Sequence, residues 1–383
     1  MKNILKIWKN EFITMLKDPG SLLIMVIGVF MYSLFYTIPF ANQILRDVPI
    51  GVVDFDNSSL SRELIRDLDS NEFIKIASRP IDVNEAKTEF YANKIRAYIV
   101  IPEDFEKDIF RGGNSYIASF EDSAYLIVYK QVSTGILTTA SSLGAKLEIG
   151  KFMKKGFSKQ QAMSVKLPFE FIQIPLYNPA GSYENYIYPL VLILILQQTM
   201  LVGAGLLGGT VRERLNNGVS KAFCEYSNNP VEIVLGKSMA YISLYLFYSI
   251  FCFLIYPSLF VYEMTYNIGL LYLLLIPFFL SVAFLAQALV YFYTERENSL
   301  LILVVTSLPM IFLPGFVWPK ESMPLWLIAG SKFIPATATM DGLTRVNQMG
   351  AVFHQVQGDF WVLVGLCVLY FALACKVTKK FCK

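Results

Sequence analysis

Long uncharged stretches alternate with short charged clusters along most of this chain, and one long charged segment interrupts the alternation. A membrane-spanning helix needs about 20 mostly apolar residues. The stretches that approach or exceed this length cover residues 21–44, 186–211, 238–262, 268–294, 298–316 and 359–376. The pattern therefore predicts a polytopic α-helical membrane protein with about six spans.

The charged segment between the first and second spans, residues 45–184, has the mixed composition of a separately folded domain. Short apolar runs predict strands in it, and periodic patterns predict helices. The strand runs are 48–54 and 97–101, and the helical patterns are 58–68, 83–91 and 124–163. The last pattern allows a break near Gly150 or Gly156. About 140 residues suffice for a domain. We therefore expect an inserted α/β domain, followed by a transmembrane domain at 185–378 that holds spans two to six.

An amphipathic pattern precedes the first span. Apolar residues recur at helical spacing opposite four lysines, at Ile4, Leu5, Trp8, Phe12, Met15 and Leu16. The sequence Asp18-Pro19-Gly20 then breaks the helix. We interpret residues 1–20 as a helix lying in the cytoplasmic interface of the bilayer. The alternative is an ordinary positively charged leader.

The distribution of basic residues gives the predicted orientation. Only 16% of the 383 residues are charged, against roughly 25% in ordinary soluble proteins. Lysines and arginines concentrate in the N-terminal segment, the 211–237 loop and the C-terminal tail. Short basic segments stay in the cytoplasm, whereas long domains cross regardless of charge. Both termini and this loop are therefore predicted inside, and the inserted domain outside, as an extracytoplasmic domain.

The sequence shows no catalytic or metal-binding pattern. The inserted segment has no histidine or cysteine, and its carboxylates are scattered among basic residues. The five cysteines of the chain fit no zinc or redox spacing, so we expect plain thiols. Gly236-Lys237-Ser238 resembles the end of a phosphate-binding loop, but Val231 stands where that motif needs glycine. The chain is expected to hold no catalytic residue, metal or cofactor of its own.

Polar residues are rare inside the predicted spans. The cores of the spans contain no acidic or basic residue, whereas ion-coupled transporters use such residues. Any transport is therefore expected to draw its energy from elsewhere. Gln197, Gln198 and Gln287 are candidates for a translocation path, and the alternative is that they bond to neighbouring helices. Gly205 and Gly209 form a small-residue pair that allows helices to approach closely.

One charged segment carries a family resemblance. Arg212-Glu213-Arg214-Leu-Asn-Asn-Gly218, followed by Pro230, resembles the coupling loop of type-2 ABC transporter permeases. The chain is similar in particular to bacterial export permeases with a large extracytoplasmic domain after the first span. In that family the loop meets the ATPase subunit, which implies this role for Arg212, Glu213, Arg214, Gly218 and Pro230. The family often has threonine after the glycine, and here Val219 departs from it.

A second, proline-rich segment strengthens the resemblance. It runs from Leu313 to Pro324 and continues to Pro335 and Arg345. The family folds the matching region as short helices that dip back into the membrane near the exit, which implies a re-entrant segment at 317–346. Prolines exclude one continuous helix here. The residues assigned to the exit are Pro314, Gly315, Trp318, Pro319, Met323, Pro324 and Pro335.

The resemblance implies the permease subunit of an ATP-driven exporter of the bacterial inner membrane, with multidrug efflux as one activity of this class. A separate cytosolic ABC ATPase would hold ATP and Mg²⁺, and a second permease copy or a homologue would complete a dimer. A periplasmic adaptor is a further candidate partner, and no nucleic-acid partner is expected. The main alternative is a membrane-anchored receptor or assembly scaffold whose outer domain binds a ligand or a protein. The sequence leaves drugs, lipids, peptides and polymers open as substrates.

Overall fold

The computed structural model describes residues 2–37, 45–113, 115–166, 176–177, 183–219, 224–255 and 267–382. Contacts divide the chain into two compact units, one of residues 1–43 with 175–383 and the other of residues 44–174. We call the first the membrane unit and the second the α/β unit. The α/β unit thus ends about ten residues before the predicted boundary at 184.

The elements are numbered in chain order. The helices are α1 Lys2–Lys17, α2 Pro19–Ser21, α3 Val29–Thr37, α4 Ser59–Asp69, α5 Val83–Tyr91, α6 Phe105–Phe110, α7 Leu126–Lys154, α8 Lys159–Lys166, α9 Tyr183–Asn216, α10 Pro230–Ile250, α11 Ile268–Leu289, α12 Asn298–Phe312, α13 Leu325–Ser331, α14 Pro335–Gln348 and α15 Phe353–Phe381. The strands are β1 Val48–Asp54, β2 Ile74–Ser78, β3 Ala97–Ile101 and β4 Ala118–Glu121. A π-helical segment, Leu22–Gly28, joins α2 to α3, and another, Phe251–Ile255, continues α10.

The described part of the α/β unit contains a sheet with the strand order β2-β1-β3-β4. The central strand β1 pairs in parallel with β2 and β3, and β4 runs antiparallel to β3. Parallel neighbours need a crossover connection, and α4 and α5 provide it. Helix α4 begins where the Ser58 hydroxyl accepts a hydrogen bond from the Ser61 N–H at 3.0 Å. Its apolar face then packs on the sheet through residues such as Leu64.

The long helical pattern at 124–163 forms two helices. Helix α7 ends at Lys154, and α8 begins at Lys159. Gly156 lies between them with a φ of 90°, a left-handed conformation that glycine adopts at low cost. The predicted break at Gly156 is therefore present, whereas Gly150 lies inside α7. A helix of 29 residues extends about 44 Å at 1.5 Å per residue, shorter than one helix over the whole pattern.

The described residues include four helical segments that are long and apolar enough to cross a bilayer: Tyr186–Asn216, Pro230–Ile255, Ile268–Phe292 and Phe353–Phe381. A bent pair, Lys2–Lys17 with Pro19–Phe35, turns by 79° and raises the number to five if it counts as one span. The predicted fifth span is only the 15-residue helix α12, about 22 Å long. The predicted ends of the first and third spans, at 38–44 and 256–262, lie outside the described residues.

Contacts nevertheless show that the segment around α12 runs the length of α9. Before it, an Arg296 guanidinium nitrogen lies 3.4 Å from the Thr210 hydroxyl, near the end of α9. After it, the Phe316 carbonyl accepts a hydrogen bond from the Tyr186 hydroxyl at 2.8 Å, near the start of α9. The distance along α9 between these points is about 36 Å. The segment therefore passes antiparallel to α9, from near the end of that helix back to near its start.

The packing of α4 yields a stability prediction. Leu64 is fully buried between α4 and the sheet, whereas Ile81 is 86% exposed. In a protein made of residues 45–174, Leu64→Ala should lower the free energy of unfolding by about 2–5 kcal/mol. The control Ile81→Ala should change it by less than about 0.5 kcal/mol. Denaturant unfolding followed by circular dichroism measures both, and equal effects would contradict the assigned core.

Candidate functional site

The predicted coupling residues lie at the end of helix α9. Asn216 is its last residue, and the Gly218 and Val219 N–H groups donate back to the carbonyls of Leu215 at 3.2 Å and Arg214 at 3.0 Å. Gly218 has a φ of 87°. This is a Schellman ending, which places glycine directly after the helix. The glycine of the motif therefore fixes where α9 stops and how the chain leaves it.

The side chains at this end divide into an exposed set and a packed set. Glu213, Arg214 and Gly218 are exposed. The Arg212 guanidinium lies over the Phe381 ring of α15, 4.2 Å from its centroid. Pro230 starts α10, where the Asn229 side chain accepts a hydrogen bond from the Val231 N–H at 3.1 Å. The predicted loop 211–237 is thus largely helix ends, and Lys221 within it lies outside the described residues.

An ion pair absent from the sequence prediction fastens this end of the unit. Two nitrogens of the Arg296 guanidinium donate to the two carboxylate oxygens of Asp18, each at 2.6 Å. Asp18 also caps α2 by accepting a hydrogen bond from the Ser21 N–H. Burial alone would raise the pKa of Asp18, but these hydrogen bonds and the arginine charge hold it below its ordinary value of 3.8. The pair therefore stabilises the fold above that pH, and this contribution is lost as the pH falls through the lowered value.

The N-terminal helix α1 lies along the first half of α10. Asn3 donates to the Glu232 carboxylate at 3.1 Å, and Ile7 packs on Gly236, where an added Cβ would lie 2.7 Å from the Ile7 side chain. The contacts keep an almost constant offset of 229 residues, so the two helices run parallel. The buried residues of α1 are Ile7, Glu11 and Met15, and Leu5 and Leu16 of the predicted apolar face are exposed. The interfacial location of α1 remains a prediction, but the face that packs on protein differs from the predicted one.

Glu11 is the only charged residue in the described part of the chain that is buried, with 7% of its surface exposed. The Lys237 ammonium lies 3.5 Å from one of its carboxylate oxygens, and the Tyr241 hydroxyl donates to the other. Both partners belong to α10. A buried carboxylate is tolerated when it is paired and hydrogen-bonded. These three side chains therefore fix α1 in one register on α10.

The misleading Gly236-Lys237-Ser238 sequence has a structural explanation. Gly236 allows α1 to approach, Lys237 pairs with Glu11, and Ser238 accepts a hydrogen bond from the Gln287 amide at 2.7 Å. The same amide reaches the Val234 carbonyl at 3.4 Å. Gln287 thus joins α11 to α10 inside the unit. Its role in a translocation path stays a prediction without a contact in its favour.

Gln197 holds the tip of the proline-rich segment. Its amide oxygen accepts a hydrogen bond at 2.8 Å from the Ala336 N–H, at the start of α14. At the other end of α14, Gln348 donates to the Tyr186 carbonyl at 3.4 Å. Tyr186 and Gln197 are separated by about 16 Å along α9. The chain therefore descends into the helix bundle to the level of Gln197 and returns along α14.

The remaining exit residues follow this path. Pro314 and Pro335 are buried where the segment packs on the bundle, Met323 is partly exposed, and Trp318, Pro319 and Pro324 are exposed. A cavity of about 230 Å³ opens beside Gly315. Apolar side chains line it together with Glu321, Arg345 and the ion pair of Lys320 with Asp341. Gln198 lies beside the bundle interior, where its amide donates to the Met310 sulfur at 2.9 Å.

The cysteines depart from the expectation of plain thiols. Cys224 and Cys382 are joined by a disulfide across 158 residues of sequence, whereas Cys252, Cys367 and Cys375 are free. The described residues contain no cluster of three or more side chains that could hold a metal ion. The long separation explains why cysteine spacing gave no signal.

The buried ion pair of α1 yields a stability prediction. Glu11→Gln removes the buried carboxylate that faces the Lys237 ammonium, and loss of one partner of a buried ion pair costs about 3–5 kcal/mol. We expect a clear fall in the thermal unfolding midpoint of the detergent-solubilised protein. Adding Lys237→Met replaces the other member of the pair by an apolar side chain and should restore part of the loss. Lys9→Gln, on the exposed side of α1, serves as the control, and an unchanged midpoint in Glu11→Gln would refute the assigned pairing.

Comparison with known proteins places this geometry in context. The sequence model of the family described as "ABC-2 family transporter protein" matches residues 19–376. The chain is 23% identical over 374 residues to the Escherichia coli (strain K12) protein named "Probable multidrug ABC transporter permease YbhS", covering 95% of this chain and 93% of that protein. The counterpart in Escherichia coli O157:H7 gives the same values. No solved structure matches significantly. The family match extends from the α1–α2 bend almost to the end of α15, and the chain therefore belongs to the ABC-2 transporter family.

Proposed function

We propose that this chain is the permease subunit of an ATP-driven exporter of the bacterial inner membrane, powered by a separate cytosolic ABC ATPase. Membership of the ABC-2 family supports a transporter permease. The relative's printed name, "Probable multidrug ABC transporter permease YbhS", favours drugs as substrates. The ATPase would supply ATP and Mg²⁺, and a second copy or a homologue would provide the other half of the path.

The observation that carries the proposal is the continuity of α9. One end of this helix presents the exposed Glu213 and Arg214, and its middle holds the tip of the re-entrant segment through Gln197. A displacement of the Glu213 end of α9 would therefore be transmitted along this one helix to the re-entrant segment. Arg296, bonded to Asp18 and close to Thr210, joins the α1–α2 bend to the same end. Movement at the ATPase contact would thus reach both the re-entrant segment and the α1–α2 bend.

The proposed orientation places Asn217 and the C-terminus in the cytoplasm and the α/β unit outside. The passage of the α12 segment along α9 supports six crossings, because it brings the chain back to the end where Tyr186 lies. An extracytoplasmic α/β unit would be accessible to a periplasmic adaptor. Binding of such an adaptor is part of the proposal.

The coupling role predicts a specific loss of ATPase binding. Glu213→Ala removes an exposed charge at the proposed contact, and a charge that pairs across an interface contributes about 2–5 kcal/mol. We expect at least a tenfold weaker association with the ATPase that co-purifies with the native protein, and loss of ethidium export from cells. Gly218→Leu should act in the same direction, because a non-glycine residue strains the left-handed ending of α9.

The control for this experiment is Glu103→Ala, which removes an exposed carboxylate from the α/β unit. It should leave ATPase association unchanged. All variants should insert into the membrane at native levels, as measured by immunoblot. Normal association in both Glu213→Ala and Gly218→Leu would remove the coupling role from this end of α9.

The orientation is testable with reporter fusions. Phosphatase and fluorescent-protein fusions after Asn217 and at the C-terminus should report the cytoplasm, and fusions at Ser115 should report the outside. The physical basis is the retention of short basic segments on the cytoplasmic side. An external C-terminus together with a cytoplasmic Asn217 would show that an odd number of crossings separates them and would overturn the six-span topology.

A further inference from the structure

The disulfide between Cys224 and Cys382 joins the connection between α9 and α10 to the end of α15. Cys224 belongs to the connection between α9 and α10, and Cys382 directly follows α15. Their Cα atoms are 5.8 Å apart, within the usual range for a disulfide. Cys224 is 7% exposed. The bond therefore ties the end of α15 to the connection that leads into α10.

The surroundings of the bond hold the two cysteines together independently of it. Both pack in one apolar cluster with Ile7 of α1, Ile233 of α10 and Tyr293. Next to Cys382, the Phe381 ring lies under the Arg212 guanidinium at 4.2 Å. The cluster is thus built from α1, α9, α10 and α15. Reduction would leave the two thiols adjacent, because noncovalent packing keeps the elements in place.

The proposed orientation gives this bond a regulatory meaning. It places Cys224 and Cys382 on the cytoplasmic side, where thiols are kept reduced and disulfides are transient or redox-sensing. In an unstressed cell the two cysteines are then free thiols, placed close enough to form the disulfide. The other described cysteines do not share this arrangement, since Cys252, Cys367 and Cys375 are free.

We propose that Cys224 and Cys382 form a redox-responsive tether that slows the transporter when the cytoplasm becomes oxidising. The proposal rests on the function and orientation proposed above. When closed, the tether restrains the end of α15 against the connection at Cys224. Because Arg212, near the end of α9, stacks on Phe381, this restraint acts at the proposed ATPase contact. Reduction removes this covalent restraint, so that only noncovalent packing opposes separation of α15 from this connection when the transporter moves.

The chemistry balances with glutathione disulfide as the oxidant. One cysteine thiolate attacks a sulfur of glutathione disulfide, breaks its S–S bond and releases one glutathione thiolate. The second cysteine thiolate then attacks the protein sulfur of the mixed disulfide and releases the second glutathione. The two protein thiols lose two protons and two electrons, and the electrons reside in the two glutathione molecules formed.

The first experiment determines the state of the pair in living cells. Cells producing the full-length protein are treated with N-ethylmaleimide before lysis, with or without prior oxidation of glutathione by diamide. Mass spectrometry should find maleimide-blocked Cys224 and Cys382 in untreated cells and linked peptides after diamide. Absence of the link after diamide would overturn the proposal. If the link is already present in untreated cells and the fusions report a cytoplasmic C-terminus, the redox-responsive tether is refuted. If the fusions report an external C-terminus, the proposed orientation is refuted instead.

The second experiment measures the consequence. ATP hydrolysis by the complex with its co-purified ATPase is compared in glutathione disulfide and in reduced glutathione. The rate should be about fivefold or more lower in the oxidised sample, in the range of ordinary coupling between sites, and reduction should restore it. Cys224→Ser and Cys382→Ser should abolish the difference, whereas Cys375→Ser, which removes a free cysteine of α15, should keep it.

Equal rates in the two redox states, with the link verified by mass spectrometry, would show that the bond does not regulate hydrolysis. If no ATPase co-purifies, the proposed function fails and the regulatory claim fails with it. The cellular thiol states distinguish this case, because they report the disulfide without requiring any partner.

Discussion

The membrane unit depends on the close approach of several segments to one central helix. In the most apolar stretch of helix α9, 83% is buried inside the protein. Lipid solvates apolar side chains as well as a protein does, so burial of this extent requires close packing between helices. Small residues make this possible, since helices associate in membranes mainly through tight packing. Gly205 of α9 faces Ser299 of α12, where an added Cβ would lie 2.8 Å from the serine side chain. Gly209 faces the backbone of Arg296, where a Cβ would lie 2.9 Å from its Cα. Any larger residue there would push the Asp18–Arg296 pair away from α9.

The sequence predicted those features that arise from local patterns. The parallel strands β1 and β3 appeared as apolar runs, and the ends of α5 matched its periodicity to the residue. Strand β4 was missed because four residues with an exposed Phe120 give no alternation to detect. Pairings between distant residues had no local signal at all. Asp18 and Arg296 are 278 residues apart, and nothing in the composition of either segment indicates the other.

The candidate site shows the same division. The exposure of Glu213 and the positive φ of Gly218 fit the residues that the motif named. Gln197 and Gln287, chosen because polar residues are costly in a span, both form hydrogen bonds inside the protein. A buried polar group must be bonded whether or not it serves a function. A polar residue in a span therefore marks a position where a hydrogen-bond partner is needed. Only the contacts distinguish a residue that caps a helix, such as Gln197, from one that lines a translocation path.

Glu11 raises the question of why a carboxylate is retained where an apolar side chain would pack at lower cost. Buried ion pairs contribute little net stability, and their best-attested role is to fix register. Helix α1 presents apolar residues on several sides, with Leu5, Ile13 and Leu16 exposed, so hydrophobic packing alone would allow it to rotate on α10. A carboxylate that must meet both Lys237 and Tyr241 excludes the rotated arrangements, because each would bury an unpaired charge. Since α1 leads directly into the bend at Asp18, fixing its rotation also fixes the position of the carboxylate that binds Arg296.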